Sequence, residues 1–84
     1  MDLKDTVNGM LSSDYKERFI AEYQQLKIRI FKLRELLNKA HGGTLDFELD
    51  CPLDLLDSQL IAMLDYSTIL EARAKHEQIK IKEE

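Results

Sequence analysis

Tyr15 stands three residues before Arg18 at the head of a long helical pattern, and Arg29 and Lys32 follow further along it. An aromatic ring stacks on a nucleobase, and Arg or Lys holds phosphate. Such a set suits a flat, anionic ligand. Tyr15 also ends an apolar stripe, so residue type alone leaves it open between stacking on a base and packing at a helix end. Other chemistry is poorly supplied. Ser12, Ser13, Ser58 and Ser67 lie in no nucleophile motif, and His41 and His76 sit at a helix exit and near the tail. These two histidines and the single cysteine, Cys51, lack metal-ligand spacing. No His or Lys adjoins Cys51 to lower its thiol pKa, so it reads as a weak cap or small apolar residue. There is no phosphate loop and no GxGxxG. Asp54 and Asp57 share a helix face, but an acidic, solvated one. The expectation is a binding protein with no catalytic residues, no metal and no cofactor.

The element that must position these residues spans 15–39. Phe19, Tyr23, Leu26, Ile30, Leu33 and Leu37 recur at helical spacing with no Gly or Pro between them. A second apolar line, Ile20, Ile28 and Phe31, lies off that stripe, so the helix needs more than one partner. Its polar positions are basic: Lys16, Arg18, Lys27, Arg29, Lys32, Arg34 and Lys39 against Glu17, Glu22 and Glu35. Asp14 with Glu17 has the spacing of a capping box, and Ser13 is a rival N-cap. His41-Gly42-Gly43 supplies residues free to take positive φ, which ends the helix near Ala40.

The chain has 84 residues, room for one domain, and a hairpin of that size buries little without a staple. One cysteine excludes an internal disulfide, so self-association is the expected staple, and a hydrophobic content of 44% agrees. The first residues lack the apolar run of a secretory signal. No stretch approaches the roughly 18 apolar residues of a membrane span. With a lone thiol, these features predict a reducing, cytosolic setting. A net charge of −4 argues against duplex nucleic-acid binding but leaves room for a local basic pocket.

Residues 1–12 form an N-terminal arm. Leu3, Val7, Met10 and Leu11 would share one face, packing over the main helix or acting as a lid on a neighbour's pocket. Gly9 weakens the second half of this short helix. The first long helix is assigned to 14–40 and a connector to 41–50. Alternation of Leu45, Phe47 and Leu49 has the period of a strand, but no ladder partner exists within the chain. It is read as an extended connector tucked against the hairpin end, with an intermolecular strand pair as the alternative. Pro52 suits a first helical position, with Cys51 or Asp50 as cap. The second long helix, 51–78, has Leu53, Leu56, Leu60, Met63, Ser67, Leu70 and Ala74 on one stripe and Leu55, Ile61, Leu64 and Ile69 flanking it. The tail, 79–84, is expected to fray. From Asp46 to Glu71 there is no Lys or Arg. An antiparallel hairpin lays this acidic helix beside the basic one. The basic residues then either pair across the hairpin and set its register, or hold a ligand.

Three patterns resemble a known group: Tyr15-x-x-Arg18 followed by Glu22; Leu26-x-x-Arg29-Ile30-x-Lys32-Leu33; and Pro52-Leu53-x-x-Leu56-x-x-Gln59-Leu60-x-Ala62-Met63-x-x-Tyr66-x-x-x-Leu70-x-x-Arg73. Over about residues 15–73 the chain resembles short phage proteins of the hairpin family of anti-CBASS and anti-Thoeris inhibitors. The resemblance implies a sponge that acts in the cytoplasm of the infected bacterial host. Such proteins bind cyclic dinucleotides, cyclic trinucleotides or glycocyclic ADP-ribose without cleaving them, and so starve the effector of an immune system. It also implies a homo-oligomer, commonly a hexamer, with pockets between protomers. Tyr15 falls where the family has a base-stacking aromatic. Arg29 and Lys32 fall at basic positions suited to phosphate in a dinucleotide-type pocket. Arg73 falls at the late arginine of a separate trinucleotide-type pocket. Arg18 matches the pattern either as a contact or as a brace. Arg29 stands where Lys is frequent, which keeps charge and changes geometry. The GGTLDFELDC connector departs from the family.

The fold expected is therefore all-α: an antiparallel two-helix hairpin with a short N-terminal helix, assembled into a homo-oligomer. A rival function is a protein-interaction module whose apolar flanks bind another polypeptide.

Overall fold

The computed structural model describes residues 1–81, which are helical with no strand. A single 3₁₀ turn, Leu3–Thr6, runs into α1 (Val7–Met10), followed by α2 (Tyr15–His41) and α3 (Leu53–Glu77). The start of α2 meets the end of α3, with Tyr15 bonded to Glu77, and its end meets the start of α3, with His41 beside Asp57. The two long helices are thus antiparallel.

The α2 stripe is the core. Phe19, Tyr23, Leu26, Ile30 and Leu37 are all buried, while Leu33 is half-buried. Against them α3 buries Ser67, Leu70 and Ala74. The core is uneven: among described residues of α3, no side chain before Ser67 is fully buried, so the hairpin is tightest where Tyr15 and Arg73 lie.

Asp14 caps α2 by accepting from the Lys16 amide at 2.9 Å. The reciprocal half of the box is not made. The Ser12 hydroxyl donates to Glu17 at 2.5 Å and accepts from the Asp14 amide at 3.1 Å, so one side chain serves both groups. A complete capping box sits instead on the 3₁₀ turn, between Asp2 and Asp5. At the other end of α2, Gly43 takes φ +74. The Thr44 amide reaches back to the Lys39 carbonyl at 2.9 Å, a glycine-stopped helix end. Pro52 occupies the N-cap of α3 and makes no side-chain cap, so neither Cys51 nor Asp50 fills that role.

Three expectations need correction. The arm packs on α2 but not through its apolar face. Thr6 is the buried residue, and Gly9 lies so close to Ala21 that an added Cβ would stand 2.8 Å from that side chain. Val7, Met10 and Leu11 point outward. A close approach selects small residues at the contact, which leaves Val7, Met10 and Leu11 exposed and Leu3 half-buried. The connector is a connector without a strand, as expected, but Phe47 is exposed rather than tucked in, while Leu45 and Leu49 are half-buried. Finally, the first part of the tail is anchored rather than frayed. Gln78 takes a left-handed φ of 57, turning the Ile79 amide onto the Ala74 carbonyl at 2.8 Å. Ile79 is buried in the core and Ile81 packs against it. The rest of the tail, 82–84, lies outside the described residues.

Register is not set by Lys or Arg pairing across the hairpin. Among the described residues, no Lys or Arg of α2 pairs with an acidic residue of α3. Among the described residues the cross-hairpin polar contacts are two tyrosine hydroxyls donating to carboxylates, Tyr15 to Glu77 and Tyr23 to Glu71, both at 2.6 Å, the Arg73 guanidinium donating to the Tyr15 hydroxyl at 2.6 Å, and the His41–Asp57 pair at 3.0 Å.

Candidate ligand-binding site

The antiparallel hairpin brings Tyr15, from the first turn of α2, to Arg73, from the last turns of α3. The Tyr15 hydroxyl donates to Glu77 Oε1 at 2.6 Å and accepts from Arg73 Nη2 at 2.6 Å. Arg73 Nε donates to Glu77 Oε2 at 3.0 Å. The guanidinium lies over the buried ring of Phe19, 4.9 Å from its centroid. The Tyr15 and Phe19 rings are 6.3 Å apart and tilted by 57°. Tyr15 keeps 46% of its surface open, so its ring face is available for stacking.

The cluster is electrostatically coupled. The Tyr15 hydroxyl, and then Arg73, hold the Glu77 carboxyl below the ordinary carboxylate value. The same Glu77 hydrogen bond raises the Tyr15 phenol and the Arg73 guanidinium above their usual values. Glu77 therefore stays ionised, Tyr15 stays a phenol and Arg73 stays a cation.

Arg18 faces the other way. Its Nη1 donates to the Ser12 carbonyl at 2.8 Å, bracing the turn between α1 and α2. Arg29 is exposed and forms no ion pair with a described residue. Lys32 pairs with Asp2 of the arm at 3.5 Å. A hydrogen bond from the Leu3 amide, followed by this lysine, lowers the Asp2 pKa. Fourteen residues separate Tyr15 from Arg29, about 21 Å along a helix axis. Within one chain, then, Tyr15 and Arg73 come together, while Arg29 and Lys32 lie several turns away.

Two features were not singled out from the sequence. Glu77 touches both clustered residues, and its spacing from Arg73 is a helical (i, i+4) ion pair that the sequence did offer. The other is a groove of about 710 Å³ beside α2, lined in part by Lys27, Ile28, Phe31, Lys32 and Arg34. Only Lys32 of the expected site residues borders it. The spacing of Lys27, Phe31 and Arg34 on one helical face was the available signal, but Phe31 reads equally as packing surface.

Among the described residues there is no cluster of His, Cys, Asp and Glu fit to hold a metal ion, and no helix long and apolar enough to cross a membrane. A hairpin that gathers an open aromatic ring and a fixed guanidinium at one end, and exposes basic residues along its first helix, has the makings of a binding protein for anions. A protein-family model, Sequestin, matches residues 13–76, more than half of the chain and all of both long helices but the last residue of α3. The chain belongs to the Sequestin family. That family is named for sequestration, a binding role rather than a catalytic one, and it agrees with the phage sequestering proteins that the sequence resembles. No curated protein and no solved structure matches the chain.

Proposed function

We propose that this protein sequesters a cyclic oligonucleotide or glycocyclic ADP-ribose immune signal, without cleaving it, in the cytoplasm of a phage-infected bacterium. The observation that supports this most is the family match over 13–76, which spans Tyr15, Arg18, Arg29, Lys32 and Arg73. The chemistry is consistent. A cyclic dinucleotide presents two bases and two phosphodiester anions. Tyr15 offers a stacking face, and Arg29 and Lys32 offer charge for phosphate. These groups are several turns apart in one chain, so a closed pocket takes residues from two protomers of a homo-oligomer, a hexamer on the resemblance. Arg73 serves a second pocket type that would accept a cyclic trinucleotide. A preformed site between chains lowers the ordering cost of binding, which suits a protein that acts by affinity and abundance rather than turnover.

A second reading, a hairpin that binds another polypeptide, is favoured by one observation: Leu55, Ile61, Tyr66 and Ile69 of α3 are exposed. Native mass spectrometry separates the two. The purified protein is mixed with a panel of cyclic di- and trinucleotides and cyclic ADP-ribose isomers. Sequestration predicts a closed oligomer that takes up intact ligand in fixed stoichiometry. A monomer or dimer that retains none of them would overturn it in favour of the protein partner.

A further inference from the structure

We infer that Glu77 is a positioning residue shared by the two pocket types, its carboxylate holding Tyr15 for the dinucleotide-type pocket and Arg73 for the trinucleotide-type one in the orientations in which they receive ligand. This rests on the functional reading above, which places Tyr15 and Arg73 at ligand; the role of Glu77 goes beyond it.

Arg73 spends Nε on Glu77 and one Nη2 proton on the Tyr15 hydroxyl. A guanidinium has five N–H groups in a fixed plane. The second Nη2 proton and both Nη1 protons have no partner among the described residues. They form the outer fork of the guanidinium, the edge that grips a phosphate bidentately. Phe19 lies beneath the guanidinium, and Glu77 holds it through Nε. The result is a cation whose receptive edge is set before ligand arrives.

Tyr15 is fixed by the same group. Its hydroxyl proton goes to Glu77 Oε1, which ties the first turn of α2 to the end of α3 and sets the tilt of an exposed ring. Without the carboxylate, a long arginine and a half-exposed tyrosine are free to sample other rotamers, and ligand must then order both. The cost of ordering a flexible side chain at an interface corresponds to about a three- to tenfold loss of affinity for each group. The opposite role, in which Glu77 occupies the fork and competes with an anion, is disfavoured because Glu77 takes the inner edge through Nε and leaves the outer one open.

The test uses the full-length protein and two probes, a cyclic dinucleotide and cyclic tri-adenylate, measured by isothermal titration calorimetry. Glu77→Ala is expected to weaken the tightest-binding probe about three- to tenfold, with native mass and helical circular dichroism unchanged. In an Arg73→Ala background the same substitution is expected to have no further effect on a probe that depends on Arg73 and not on Tyr15, because Glu77 reaches that pocket through the arginine alone. In the ligand-free protein, the Arg73 Nε–H resonance is expected to exchange faster in Glu77→Ala. Unchanged affinity with wild-type exchange would overturn the inference alone, and so would tighter binding, which would make Glu77 a competitor. Wild-type protein that binds neither probe nor any other member of the ligand panel would overturn the functional reading and this inference with it.

Discussion

At the scale of single residues, Glu77 is where the pH dependence is concentrated. Its carboxyl sits below the ordinary value of 4.5 in the folded chain, first through the Tyr15 hydroxyl and then through Arg73. A depressed carboxylate contributes stability that is complete above its unfolded pKa and is lost as pH falls through the folded one. Tyr15 works at the opposite end. Its phenol is raised above 10.0, mainly by the Glu77 bond, so its contribution is complete below that value and is lost as pH rises through the folded pKa. Glu77→Gln is therefore expected to flatten the acid side of a melting-temperature profile below about pH 4.5, with the variant melting below wild type at neutral pH and the difference closing as pH falls. Tyr15 is exposed and Glu77 only half-buried, so solvent screening keeps the shift modest. Parallel acid limbs in wild type and variant would mean that the carboxylate contributes nothing to folding.

Among the elements, the arm shows how much was legible and where legibility stopped. The long stripes of α2 and α3 were readable because each repeats over many turns, and a period sustained that long has one structural meaning. Residues 1–12 are too short for that. Four apolar residues on one side suggested a packed face, yet the contact with α2 is made by Thr6 and Gly9. Backbone proximity, which no hydrophobic pattern encodes, decided it. The same limit explains the tail, where Ile79 looks like one apolar residue among charges until the left-handed Gln78 turns it into the core. It also explains the site. Tyr15 and Arg73 were nameable from the resemblance, but their contact depends on hairpin register, and the packed core and tyrosine–carboxylate bonds that go with that register are not encoded in the charge division visible in the sequence. Gly9 gives a direct check on the arm. A methyl group there meets Ala21 at 2.8 Å, inside van der Waals contact. Gly9→Ala is expected to destabilise the arm's docking, at a cost of about 1–3 kcal/mol as for other overpacked contacts. Faster amide exchange over residues 3–10 with α3 unaffected would show it, and unchanged exchange would place the arm further from α2.

For the whole molecule the deciding quantity is surface. The chain exposes 6267 Å² at 9.8 kDa, where a compact monomer of that mass exposes about 5,200 Å². Part of the excess follows from a shape of 43 × 24 × 21 Å. The rest is apolar and ordered rather than scattered. Leu55, Tyr66 and Ile69 are exposed at helical spacing along the outer face of α3, and that face ends at Arg73. An exposed row of large apolar residues is a candidate interaction surface. A second copy seated on it would bury the excess and close over the Tyr15–Arg73–Glu77 cluster, so assembly and ligand capture would depend on the same face. Ile69→Glu separates assembly from folding, because this side chain is 58% exposed and contributes little to the core of one chain. Sedimentation velocity is expected to show the variant shifted toward monomer, with helical content retained and ligand uptake reduced in step with assembly. If the variant sediments as wild type does, the outer face of α3 is not the assembly surface. If it dissociates yet binds ligand with unchanged affinity, the site is complete within one hairpin and the groove beside Phe31 and Arg34 becomes the place to look.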